Sequence, residues 1–135
     1  MQLFEWTDDL SVGIEEFDFH HKRLVQLINK LHDSIAAGDR TEVTGEVLAE
    51  LSNYTIYHFF AEEDAMQRFG YPRCMDHRKE HLSLTKKTLR FVEEYHGGKC
   101  GVSREVLEFL KEWLRHHILE TDKDYGPFLN GKGVF

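Results

Sequence analysis

His58-Phe59-Phe60-Ala61-Glu62, then the break Gly70-Tyr71-Pro72, then His77-Arg78-Lys79-Glu80-His81 is the stretch on which the reading of this chain turns. His58 and Glu62 stand four apart, as do His77 and His81, so on helices each pair projects from one face, one turn apart. Imidazole and carboxylate together form a donor set that first-row metals such as iron and zinc accept. With nine histidines in 135 residues, one such pair is a weak signal, since some arise by accident. Two pairs flanking a single turn are stronger, and the other helices decide whether further donors reach the same level.

The length suits one domain with a real core, and 41% hydrophobic and 30% charged residues are ordinary for a soluble globular protein. A net charge of −7 without a basic cluster argues against nucleic-acid and anionic-membrane surfaces. Met1 to Trp6 has neither a basic start nor an apolar run, and no apolar stretch reaches the roughly 18 residues of a membrane span. The expectation is a cytoplasmic chain without membrane insertion, in which Cys74 and Cys100, two isolated cysteines, are free thiols.

Residues 1–17 read as an ordered arm whose aromatic residues pack on the domain, followed by helices over about 18–37, 41–68, 72–96 and 103–121. In the first, Leu24, Leu27, Ile28, Leu31 and Ile35 share a face that extends back to His21, and Gly38 is a plausible stop. The second, with Thr41 as N-cap, carries Val43, Val47, Leu51, Thr55, His58 and Glu62 on one line. The third tolerates Pro72 in its first turn and follows His77, His81, Leu84, Thr88, Phe91 and Tyr95 before Gly97-Gly98. The fourth starts at Ser103 and follows Leu107, Leu110, Leu114, His117 and Thr121, with Asp122 next and an irregular tail at Tyr125-Gly126-Pro127. Short connections make neighbouring helices antiparallel, and the fold class is all-α, an up-down-up-down four-helix bundle with an N-terminal arm.

In such a bundle His21, His58 with Glu62, His77 with His81, and His117 with Asp122 all lie at one end. A carboxylate on a buried line is costly unless paired or bound to metal. Five imidazoles and two carboxylates exceed the four ligands of a tetrahedral zinc, so they suit two metals. Carboxylates bridge two cations, which makes Glu62 and Asp122 the natural bridges and the imidazoles terminal ligands. With one solvent-derived oxygen bridge, three imidazoles on one metal and two on the other leave a single open position, fit for a small diatomic ligand, and nitrogen-rich ligation suits iron. Ferritin-like and oxygenase di-iron bundles need two Glu-x-x-His motifs; here the one match is Glu93 to His96, and His77-Arg78 excludes HExxH.

Asp18-x-x-His21-Lys22-x-Leu24, His58-x-x-x-Glu62-Glu63, Tyr71, His77-x-x-x-His81, Trp113-Leu114-x-x-His117-Ile118-x-x-Thr121-Asp122 and Asp124-Tyr125-Gly126-Pro127 together resemble the hemerythrins, in particular the single-domain bacterial ones. The resemblance spans essentially the whole chain. It implies reversible dioxygen binding at two iron ions bridged by Glu62, Asp122 and an oxo or hydroxo group. His77, His81 and His117 would hold the six-coordinate iron, and His21 and His58 the iron that takes dioxygen. His20 and His116 adjoin two of these, but each sits about 100° round its helix, and the Asp18 and Trp113 spacings select His21 and His117.

The role implied is an oxygen carrier, store or delivery protein rather than an enzyme, since no inward surplus acid, base or nucleophile stands out. Oxygen sensing, or reduction of nitric oxide or peroxide at the same irons, is the alternative. A monomer is expected, with a protein acceptor of dioxygen as a possible partner that would meet the arm or the tail. Phe59, Trp113, Leu114 and Ile118 are candidates for an apolar wall around the site. Terminal histidine ligands normally give their second N–H to a carboxylate or carbonyl, which the sequence leaves unidentified. Cys74 reads as a small filler beside the site, His32 and His96 as surface histidines, and Glu63, Asp64, Glu93 and Glu94 as solvated.

Overall fold

The computed structural model describes residues 3–38, 41–96 and 104–135, and the side chains of these apart from 41–43, 96 and 104–106. The expected caps Thr41 and Ser103, the His96 and Cys100 readings and the Gly97-Gly98 stop lie outside what is described. A short 3-10 turn, Asp8–Leu10, precedes α1 (Glu15–Ala36), α2 (Thr41–Arg68), α3 (Cys74–His96) and α4 (Arg104–His116). A π-helical turn, His117–Asp122, then leads into α5 (Lys123–Asn130). The described residues contain no strand, and the four long helices form the all-α four-helix bundle. No helix among them is long and apolar enough to cross a membrane.

α1 packs against α2 and α4, and α2 against α3. Rings close the remaining side: Phe91 of α3 meets Phe109 of α4 edge-on, with centroids 5.9 Å apart. The face of α1 expected from its 3–4 spacing is the buried one, with Leu24, Leu27, Ile28 and Leu31 all nearly inaccessible. Each contributes about 1.5–3 kcal/mol by leaving water, so this stripe rather than intrinsic propensity fixes α1 in place.

Three element limits differ from the sequence expectation. α1 begins three residues early, at Glu15. Asp18, expected to open it, instead accepts hydrogen bonds from the Val12 N–H (2.8 Å) and the Ser11 hydroxyl (2.5 Å), so the turn before the helix is held from inside the helix. α3 begins at Cys74 rather than at Pro72, because the chain first turns: the Tyr71 N–H donates to Met66 O, and the Cys74 N–H to Tyr71 O. Gly70, with φ +73°, makes the reversal after α2, where a side chain would be strained. The fourth helix is regular only to His116, and the expected irregular tail is helical.

The arm belongs to the core. Phe4, Leu10, Val12 and Ile14 are buried, and Asn29 of α1 clamps Phe4 by accepting its N–H (2.9 Å) and donating to its carbonyl (2.7 Å). Glu5, Thr7, Asp8 and Asp9 between these anchors stay exposed. α5 lies so close to the arm that a Cβ on Gly126 would sit 2.2 Å from the Val12 carbonyl oxygen. Alanine would improve helix propensity at Gly126 by about 1 kcal/mol, but the contact is with backbone, which yields less than a flexible side chain. Gly126→Ala is expected to destabilise the protein by about 1–3 kcal/mol. An unchanged urea midpoint would show that the arm gives way freely.

Candidate metal centre

All seven side chains singled out from the sequence meet at one end of the bundle. His21 comes from the start of α1, His58 and Glu62 from the end of α2, His77 and His81 from the start of α3, and His117 and Asp122 from the two ends of the π-helical turn. None is more than 3% exposed, and Glu62 and Asp122 are fully buried. Every imidazole turns its Nε2 toward the two carboxylates. His77 and His117 lie 2.8 and 3.0 Å from Asp122 Oδ1, His21 3.0 Å from Asp122 Oδ2. His81 and His58 lie 3.2 and 3.3 Å from Glu62 Oε1, and His21 3.4 Å from Glu62 Oε2.

The π-helical turn explains how His117 and Asp122 both reach this centre. Five residues apart, they would diverge by roughly 140° on a regular α-helix, where each residue turns about 100°. The wider turn takes in an extra residue and brings both inward.

Electrostatics concentrates charge here. Burial opposes ionisation of Glu62, but the His58 charge and hydrogen bonds from neighbouring imidazoles hold its carboxyl well below the usual range. Asp122 is also held low, against burial and the nearby Glu62 charge, by His117 and His21. Burial disfavours protonated His21, yet Asp122 and Glu62 prevail and raise it to about 9. His117 rises to about 10 in the same way, against burial, through Asp122 and Glu80. In His58 burial dominates, and it drops to about 4.

Several of the donor atoms find no hydrogen-bond partner in the protein. His21 Nε2, His77 Nε2, Glu62 Oε1 and both Asp122 oxygens are buried without a hydrogen-bond partner, although neighbouring donors and acceptors stand about 3 Å away. Beside a 3.1 Å contact between His81 Nε2 and His117 Nε2, these unpartnered atoms line a shared space. Each such atom costs about 1–3 kcal/mol, which coordination would remove. Two overlapping sets form, Glu62, His77, His81, His117 and Asp122, and His21, His58, Glu62 and Asp122, in each of which the donor atoms lie within 4.8 Å of one another. The two carboxylates are common to both, so the residues fit a pair of cations with shared bridges.

Around this centre the structure reveals groups that sequence reasoning passed over. Glu63, expected to be solvated, is only a quarter exposed and accepts from His81 Nδ1 at 3.1 Å. Glu80 stands 3.0 Å from His117 Nδ1, and that bond lowers its carboxyl to about 2. The Tyr125 hydroxyl donates to Glu62 Oε2, and burial, then the charges of Glu62 and Asp122, push the phenol well above its usual value. Tyr125 appeared in the quoted pattern without a role; Glu63 and Glu80 reach across to other helices, which no spacing within one helix reveals. Cys74 is outside the cluster and packs on the core, with its thiol raised by burial. Phe59 stacks on His81, with centroids 3.8 Å apart and planes at 5°, and Trp113 on His117 at 4.4 Å and 15°.

The bundle and its buried donor cluster define a four-helix metal-binding protein. The family description "Hemerythrin HHE cation binding domain" matches residues 12–129. The chain belongs to the hemerythrin family. It is 35% identical to a bacteriohemerythrin of Methylococcus capsulatus over 131 residues, covering 96% of this chain and 99% of that one. It is 30% identical to a hemerythrin-like protein of Naegleria gruberi, covering 90% of each. Its backbone matches a crystal structure of wild-type hemerythrin with a TM-score of 0.89 at 33% identity, covering 93% of this chain and 96% of that one.

Proposed function

We propose that this chain binds dioxygen reversibly at a pair of iron ions, as a carrier, store or delivery protein. The observation that carries the reading is the convergence of ligand atoms from five buried imidazoles and two fully buried carboxylates in two sets that share those carboxylates. His77, His81 and His117 would hold one ion and His21 and His58 the other, with Glu62 and Asp122 shared between them. When bound, the iron pair supplies the electrons and the open coordination position that dioxygen binding requires.

The protein's own part is to hold the donors and keep the site dry. Glu63 and Glu80 fix the rings of His81 and His117 by accepting their Nδ1–H. Phe59 and Trp113 cover those two rings, while Leu114 and Ile118 are buried beside them in sequence and in the core. Phe59, Trp113 and Leu114 also border a small apolar cavity of about 20 Å³, about the space of one water molecule. Excluding water and external protons favours release of dioxygen over its reduction. Tyr125, the buried O–H nearest the carboxylates, is already committed to Glu62, so it is not a free proton source. That favours binding over turnover.

An optical spectrum of the iron-loaded protein, reduced without air, then aerated, then sparged with argon, tests the reading. A visible band that appears in air and disappears under argon supports it. Rapid conversion to a stable oxidised spectrum with oxygen consumed would favour a reductase instead. Ile118→Ala, at a fully buried position next to His117, is expected to loosen the wall and raise the autoxidation rate severalfold. An unchanged rate would remove Ile118 from the barrier.

A further inference from the structure

Three of the five imidazoles of the centre have an identified partner at the outward nitrogen, and the partners differ in kind. His81 and His117 are backed by the carboxylates of Glu63 and Glu80. His58 is backed by another imidazole: its Nδ1 lies 2.9 Å from Nδ1 of His20. His21 Nδ1 is buried with no partner at all.

His20 is 3% exposed, although it sits about 100° round α1 from the metal-facing His21. Its ring is enclosed by Phe17 (centroids 5.9 Å), Tyr54 (5.9 Å) and Tyr57 (5.2 Å) and meets His58 at an interplanar angle of 89°. A hydrogen bond between two Nδ1 atoms holds one proton. With a cation bound, His58 gives it the lone pair of Nε2, so its proton is on Nδ1 and His58 donates. His20 Nδ1 then accepts, and His20 is the neutral tautomer protonated on Nε2.

We propose that His20 is a positioning residue that fixes the tautomer and orientation of His58. As a neutral acceptor where His81 and His117 have carboxylates, it makes the His21–His58 position the more weakly held of two unequal cation positions. A carboxylate polarises an imidazole N–H more than a neutral ring does and so makes the ring the better donor to a metal. One position therefore has two carboxylate-backed imidazoles. The other has a neutral-backed one and an unbacked one. The inference rests on the ligand assignment proposed above and adds a rank order of affinity to it.

The test uses the full chain loaded with cobalt(II), counted per chain and then extracted with excess chelator while its visible absorption is followed. Two ions per wild-type chain, leaving in two phases, are expected. His20→Leu should speed the faster phase by about 10–100-fold and leave the slower one unchanged. His20→Gln, whose side-chain oxygen can accept the same proton, should restore the faster phase to near the wild-type rate, and His20→Glu should slow it. Equal acceleration of both phases, or of neither, in His20→Leu would overturn the positioning role. Fewer than two ions on the wild-type chain would overturn the ligand assignment itself. Long-range proton–nitrogen NMR of the zinc-loaded wild-type chain decides the matter even if a variant fails to fold. His20 should carry its proton on Nε2 and His58 on Nδ1, and the reverse would sink the proposal.

Discussion

Glu62→Gln is expected to reduce cation loading from two ions per chain to at most one, with the metal-free chain still folded. Glu62 Oε1 faces both His58 and His81, at 3.3 and 3.2 Å, and so belongs to both donor sets. An amide has the same shape but no charge, and only one of its two ends is a donor to metal, so it cannot bridge two cations. Its oxygen can still accept the Tyr125 O–H, and loss of the Glu62 charge relieves the repulsion that Asp122 now bears. Loading should therefore fail for a chemical rather than a folding reason. In the wild-type chain a ligand at a hundred times its dissociation constant adds about 2.7 kcal/mol of stability, and the variant should lose most of that gain. Ions counted per chain, together with melting curves with and without iron(II), check this. Retention of two ions by Glu62→Gln would remove Glu62 from the bridge.

The second large effect concerns pH. In the metal-free chain His21 and His117 are raised to about 9 and about 10, so folding is favoured by their protonation. That contribution is complete below the unfolded histidine value of about 6.5 and is lost as pH rises through 9 to 10. His58, lowered to about 4, acts in the opposite sense. It contributes stability above about 6.5 that is lost as pH falls toward 4, and the lowered carboxyls of Glu62 and Asp122 add to the acid-side loss. The metal-free protein should be most stable near pH 6.5 and fall off on both sides by an amount on the order of a few kcal/mol. Bound cations replace the protons on His21 and His117, so the loaded protein should keep its stability up to pH 9. Urea unfolding at pH 5, 6.5 and 9, with and without metal, measures both curves. A metal-free chain as stable at pH 9 as at 6.5 would contradict the protonated state of His21 and His117.

Much of the architecture was legible in the chain. The buried stripe of α1 from Leu24 to Leu31 follows its 3–4 spacing, and α2 spans the expected residues 41–68. The seven side chains predicted to share a level do converge, because helix length and antiparallel order together set the height of each residue along a bundle. The groups behind them were not legible. Glu63 was read as solvated and His20 as turned aside, and both are correct descriptions of their angle on their own helix. Each nevertheless finds its partner on a neighbour, Glu63 on α3 and His20 on α2, once packing sets the rotation of one helix against the next. The arm packs its aromatic residues on the domain as expected, but without a sustained period nothing in residues 1–17 reveals that Asn29 and Gly126 hold a place for it.

What the sequence by itself determined is therefore what depends on local periodicity: the helices, their buried faces, the level of each histidine and the pattern that places the chain among the hemerythrins. Tertiary structure decided what depends on relative rotation and register. It widened the last helix into a π-helical turn so that His117 and Asp122 point the same way, and it assigned carboxylates to His81 and His117 but an imidazole to His58. The physical reason is range. A helical repeat is written by neighbours in the chain, whereas a hydrogen bond between helices about 8–10 Å apart exists only after packing has fixed how each is turned.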